Sequence, residues 1–291
     1  MKKVVRIRGA YNLSTHPISK SHVGCEAENI LLASAEKEGG KKNNMDRRTE
    51  EILQMAEKAQ IGVDDTFRFR CTACGKCCTN REDIIMNPLD IYRAAKHLEM
   101  EVTELIDKYC IVYVGRSSLL PIVSPKMKGR IKKCPFLENR KCSIHEAKPA
   151  VCELFPLGRI GDGKADGKVS YFLQPLDCGK KDEVHTVREW LSGSGLKESE
   201  EWFFEWQAAI AVLSKKMRSI FLDPGEDVLK DKDKAENILL IGGEVEKALI
   251  ATIYLNYDMD KEFLPQFKEN LNKATNMLDM TESFIKTACK A

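Results

Sequence analysis

The sequence predicts an α+β fold: a small, irregular, cysteine-rich domain of short hairpins and helices, followed by a helical C-terminal domain. The distribution of cysteine is the first sign, since nine of the eleven lie between residues 71 and 178. Within that stretch, short apolar stubs alternate with Gly, Asn, Asp and Pro, the pattern of hairpins and one-turn helices. Beyond Lys181 there is no cysteine until Cys289, and apolar residues recur at helical spacing. A length of 291 residues suits about two domains. The expected division is a leader or mis-called start at 1–44, a cysteine-cluster domain at 45–181 and a helical domain at 182–291.

Residues 1–44 are polar and aperiodic, and end in Glu-Gly-Gly-Lys-Lys-Asn-Asn before Met45. Helical periodicity begins directly after Met45, with Ile52, Met55, Ala56 and Ala59 on one face, so Met45 is a candidate native start. Phe67-Arg68-Phe69 reads as a strand leading into the cysteines. Asn87 caps a helix with Pro88 at its first position and Ile91, Ala94, Ala95 and Leu98 on its apolar face. A second short helix ends near Cys110, and residues 111–124 read as extended. Cys134–Leu137 and Lys141–Ile144 form a hairpin. Pro149 opens a one-turn helix through Cys152 that stops before Pro156. Leu157–Gly161 and Lys168–Leu173 form a second hairpin. Helices are expected at Val184–Leu191, Glu200–Leu222, Ala235–Tyr257 and Lys261–Ala288, with Gly242-Gly243 a candidate kink. Trp202, Phe203 and Trp206 read as a core stripe.

Composition narrows the function. With 46 basic against 44 acidic residues, net charge is +2, without the basic excess of a nucleic-acid binder. The longest apolar runs are far short of a membrane span, and no signal-peptide core follows the basic N-terminus. A cytoplasmic location is expected. An odd cysteine count and the Cys77-Cys78 doublet then argue against a disulfide scaffold.

The cysteines open with C-T-A-C-G-K-C-C, four thiols in eight residues. In Cys-x-x-Cys a tight turn brings two sulfurs to one ion while backbone N–H groups point at them. Gly75 suits such a turn, being free to adopt positive φ. Cys71, Cys74 and Cys77 form two overlapping units, and Cys78 points to a second ion or to the rear of the site. Cys134, Cys142, Cys152 and Cys178 follow without a second Cys-x-x-Cys. Eight sulfurs satisfy two tetrahedral sites, or one polynuclear cluster with spare ligands; zinc and an iron–sulfur cluster are equally supported. The basic run Lys126, Lys128, Arg130, Lys132 and Lys133 reads as a solvated edge, or as charge offsetting an anionic centre or attracting an acidic partner. Cys110 reads as buried packing, and Cys25 and Cys289 stand outside the pattern. His16, His22, His97 and His185 are scattered.

C-T-A-C-G-K-C-C, then C-P-F-L-E-N-R-K-C-S-I-H-E-A-K-P-A-V-C-E-L-F-P, then Cys178, resemble the YkgJ-like CxxCxxCC cysteine-cluster family of zinc- or iron-chelating domains. The likeness covers Phe67 to Gly179. It implies the ligand set Cys71, Cys74, Cys77, Cys78, Cys134, Cys142, Cys152 and Cys178. This chain has Ile144-His145, Lys148-Pro149 and Cys152-Glu153 where the family usually has Ile-Tyr, Arg-Pro and Cys-Arg, so contacts made there by arginine are in question. His145, at an aromatic position, is expected to pack rather than to ligate. The flagellin lysine methylases look like distant relatives, which implies an alternative: an iron–sulfur-dependent, protein lysine methylase-like activity. A further alternative is a protein-interaction module with a structural metal site, docking a partner through the helical tail. Neither nucleic acid nor membrane is expected as a partner.

Overall fold

The computed structural model of the chain describes residues 54, 57–79, 84–115, 118–161, 169–174, 178–193, 196–222 and 232–288. The expected leader at 1–44 with Cys25, most of the periodic stretch after Met45, the hairpin tip at 162–168, Ser194-Gly195 and Cys289 lie outside them. Helices mix with small antiparallel ladders, and the long helices come last, so the fold is α+β.

The chain enters through β1 (Gln60–Ile61) and β2 (Thr66–Arg70), where alternation buries Phe67 and Phe69 and leaves Thr66 and Arg68 outside. Helix α1 (Pro88–His97) starts at Asn87, whose side chain accepts the Asp90 N–H while the Asp90 carboxylate accepts the Asn87 N–H. Helix α2 (Val102–Tyr109) ends at Cys110. The extended stretch at 111–124 is a hairpin of β3 (Cys110–Val114) and β4 (Pro121–Pro125). Its two prolines stand at the first and last positions of β4. The next hairpin, β5 (Leu137–Glu138) and β6 (Lys141–Cys142), turns through Asn139 and Arg140, both at positive φ. Helix α3 (Ala150–Leu154) follows Pro149. Strands β7 (Leu157–Gly161) and β8 (Val169–Leu173) pair antiparallel, with β1 on the outer edge of β8.

Val184–Leu191 is not all helix. Lys180–Thr186 is a strand, β9, paired antiparallel with β2 from Thr66↔Thr186 to Arg70↔Lys180. Helix α4 (Val187–Leu191) begins only after Thr186, which forms a reciprocal cap with Glu189. Val184 belongs to the ladder because the buried face of β2 needs a neighbouring strand, a non-local demand that local periodicity does not carry. Helix α5 (Leu196–Phe221), α6 (Lys232–Ile250) and α7 (Phe263–Ala288) match the expected long helices. Helix α6 runs through Gly242-Gly243; its irregularity is a π turn at Ala251–Leu255.

Two buried clusters among the described residues flank the cysteine segment. Phe67, Phe69, Leu154, Leu157, Tyr171 and Val187 pack beneath β2, with Phe155, Trp190 and Cys178 against them. Leu89 and Tyr92 of α1 pack with Trp202 and Ala209 of α5 and with Tyr257, Phe263 and Phe267. Trp202 is only 5% exposed and lies edge-on to Phe267, so the tryptophan stripe is core.

Gly179 has a φ of 74°, and a Cβ there would lie 2.5 Å from the Phe69 ring and 2.8 Å from the Arg70 carbonyl oxygen. Gly179→Ala is expected to destabilise the protein by about 2–4 kcal/mol. Gly243→Ala, with nothing within 4 Å of its Cβ, should be neutral or stabilising by up to about 1 kcal/mol. Denaturant titration of both variants checks the contrast.

Candidate metal centre

The first cysteine loop is shaped by backbone that curls around sulfur. Ala73 and Gly75 take positive φ, and Lys76–Cys78 forms a 3-10 turn closed by a hydrogen bond from the Cys78 N–H to the Gly75 carbonyl. The Ala73 N–H points at Cys71 Sγ, 3.4 Å away. Cys74 accepts from the backbone N–H groups of Lys76 and Gly179. The same geometry recurs in the later segments: Cys134 accepts from the N–H groups of Phe136 and Leu137, and Cys142 from that of Ile144. Each of these four sulfurs is addressed by an N–H two or three residues downstream, the local arrangement that favours a thiolate.

Four separate stretches bring the thiols together. The β2–β9 ladder pairs Arg70 with Lys180, so Cys71 and Cys178 flank the same end of it. The Cys134 N–H donates to the Cys78 carbonyl at 2.8 Å, and Thr79 bridges to Lys133. Cys142 is opposite Leu137 in the β5–β6 hairpin, and the Leu137 N–H donates to the Cys134 carbonyl. Cys152 lies on α3 and is close enough to Cys78 to bear on its ionisation. Cys77 and Cys78 sulfurs are 3.9 Å apart. Cys178 thus lies near Cys71, Cys74 and Cys77, and Cys78 near Cys77, Cys134 and Cys152, while none of the nine described cysteines is in a disulfide. Among the described residues, no three His, Cys, Asp or Glu side chains stand in a preformed ligating arrangement.

Electrostatics opposes bare thiolates here. The neighbouring Cys77 thiol, then burial, push the Cys78 thiol far upward. Burial lifts Cys178 to about 11, with Cys74, Cys77 and Cys71 adding to the shift. Burial also raises Cys134 and Cys142, against the pull of the N–H groups and, for Cys142, of Lys148. Cys74 moves down instead, chiefly through the Lys76 N–H. A cation among the sulfurs would reverse the repulsion that dominates at Cys78, so the donor set fits a soft, thiophilic metal.

Other residues lie outside this donor set. Cys110 is buried, its thiol lifted to about 12 by that burial. His145 is exposed, so it does not pack; Ile144 fills the core there. His97 and His185 each contact a backbone carbonyl, of Ser143 and Phe69. The basic run 126–133 is a loop closed by mutual backbone bonds of Lys128 and Lys133.

Cys152 is held by contacts that cross the chain. Asp90, buried in α1, accepts the Ala150 N–H at 2.9 Å and so anchors the start of α3. Glu153, 6% exposed, pairs with Arg93 at 3.2 Å, and Arg93 also reaches the Glu146 carbonyl. An arginine does contact this corner, but it comes from α1 and meets a carboxylate at 153. The Asn-x-x-Asp cap pattern marks Asp90 in sequence; its second contact, sixty residues away, has no sequence signal. Gly179, directly after Cys178 and at a φ of 74°, parallels Gly75 after Cys74.

Residues 70–180 match the CxxCxxCC family, described as "Putative zinc- or iron-chelating domain". The CxxCxxCC segment begins and ends at Arg70 and Lys180, the residues paired at the end of the β2–β9 ladder. No curated protein and no solved structure matched. No helix among the described residues is long and apolar enough to cross a membrane.

Burial raises Asp90 to about 6, against the pull of the Ala150 and Asn87 N–H groups; an unfolded aspartate titrates near ~3.9. The native state holds this proton more tightly, so the Asp90 contribution to stability falls as pH rises from about 4 to about 6 and is level above that. Asp90→Asn removes the slope. Unfolding free energies at pH 4–7 should show the wild type losing on the order of 2 kcal/mol relative to the variant across that window.

Proposed function

We propose that this chain is a metal-binding protein that holds zinc or iron–sulfur centres through Cys71, Cys74, Cys77, Cys78, Cys134, Cys142, Cys152 and Cys178. The observation that carries the reading is the set of backbone N–H groups aimed at the sulfurs of Cys71, Cys74, Cys134 and Cys142. Free thiols held this way serve as ligands, and a reducing, cytoplasmic compartment keeps them available. Binding and folding are coupled here, because the donors come from segments with little secondary structure of their own. In this reading residues 45–181 form the metal-binding part, and 182–291 are helical support packed on α1 through Tyr92.

Anaerobic purification with elemental analysis is the test. Zinc or iron should accompany the protein stoichiometrically, with visible absorbance if the metal is iron–sulfur. Verified removal by a chelator should collapse the near-UV circular dichroism of the aromatic core around Trp190. Absence of metal, or an unchanged spectrum after complete removal, would overturn the reading.

A further inference from the structure

Charge is unevenly spread along this chain. From Lys108 to Leu137 there is no Asp or Glu, against seven Lys or Arg, in a protein whose net charge is only +2. Five of the seven, Lys126, Lys128, Arg130, Lys132 and Lys133, fall on the loop that leaves β4 and runs into Cys134. Its backbone is well held. The Lys126 N–H donates to the Tyr109 carbonyl at 2.7 Å, just beyond the β3–β4 ladder. Lys128 and Lys133 exchange backbone hydrogen bonds at 2.7 and 2.8 Å. Gly129-Arg130-Ile131-Lys132 turns between them, with Gly129 at a φ of 68° and the Lys132 N–H on the Gly129 carbonyl. Lys133 also bridges to Thr79, so the turn stands directly against the first cysteine loop.

That arrangement is electrostatically unfavourable in the isolated chain. Residues that exchange backbone bonds across an antiparallel pair put their side chains on one face, where two like charges repel. Among the described residues no carboxylate pairs with Lys126, Lys128, Arg130 or Lys133. Lysines of the helical region differ: Lys247, Lys261 and Lys273 pair with Glu244, Asp258 and Glu269. The loop holds no aromatic side chain on which a nucleic-acid base could stack. Ile131 at its tip is 65% exposed, but one isoleucine offers far less apolar surface than the acyl chain of a membrane anchor. We propose that the turn at 126–133 is a docking surface for an acidic protein segment, whose carboxylates meet Lys128, Arg130 and Lys133. Charge complementarity gives the fit, since carboxylates relieve the Lys128–Lys133 repulsion. The partner sits beside Cys134, which follows Lys133 directly. Docking of this kind does not require the cysteines to carry metal.

The test uses the full chain and a fluorescein-labelled decaglutamate peptide. Binding is followed by fluorescence anisotropy across a salt titration, and zero-length carbodiimide cross-linking with mass spectrometry locates the contact. Binding should weaken as salt rises, and cross-links should fall on Lys126, Lys128, Lys132 and Lys133. Lys128→Glu should weaken binding by about tenfold and yet melt no lower than the wild type, because the new carboxylate faces Lys133. That variant separates lost docking from lost folding. No binding of the peptide, equal binding by Lys128→Glu, or cross-links concentrated on the lysines of the helical region would overturn the proposal. So would tighter binding, at the same salt, of duplex DNA or of phosphatidylserine vesicles than of the peptide, which would assign the turn to a different class of partner.

Discussion

The antiparallel closure of β2 on β9 is the constraint on which the rest depends. It joins Arg70 to Asp182, residues 112 apart in sequence, and so ties the two ends of the CxxCxxCC segment into one ring. The entropy of closing so long a loop is unfavourable. It is offset where Phe67 and Phe69 enter the cluster with Leu154, Leu157, Tyr171 and Val187. The exposed Arg70–Asp182 pair marks the register but lies in water and contributes little. Without this ladder Cys178 would not meet Cys71 and Cys74.

Inside the ring, Met86, Ile91, Val123, Phe136 and Ile144 are buried, and the cysteines sit on the short loops and hairpins between them. The hairpins are two to five residues per strand, too short for stability alone. Gathering thiols there is unfavourable when they ionise, because each pushes its neighbours' pKa upward. A bound cation turns that penalty into attraction. The backbone N–H groups do part of the same work in advance and fix the sulfurs' directions. The long helices then give the ring a stable back: α1 carries Tyr92 and Leu89 into the aromatic cluster of α5 and α7, and on its other side Asp90 and Arg93 hold α3.

Much of this was legible in the chain because the signals are local. The Asn87 cap, the Pro149 start, the Asn139-Arg140 turn and the long amphipathic helices all depend on neighbours within a few residues. The cysteine spacing points to a thiol cluster. What was not legible is non-local. Strand β9 reads as charged and partly helical, Lys-Lys-Asp-Glu-Val-His-Thr, and becomes a strand because β2 needs a partner. The Asp90–Ala150 and Arg93–Glu153 contacts cross the chain, and nothing about either residue alone points to the other. His145 followed an aromatic precedent and is exposed instead, since Ile144 already occupies the core.

In the proposed reading, sulfurs from distant segments share inorganic centres. X-ray absorption at the zinc and iron edges of the anaerobically purified chain measures this directly. The account predicts a first shell of sulfur alone at about 2.3 Å, four per zinc or the sulfur-only shell of a cluster. A first shell dominated by nitrogen or oxygen would contradict it.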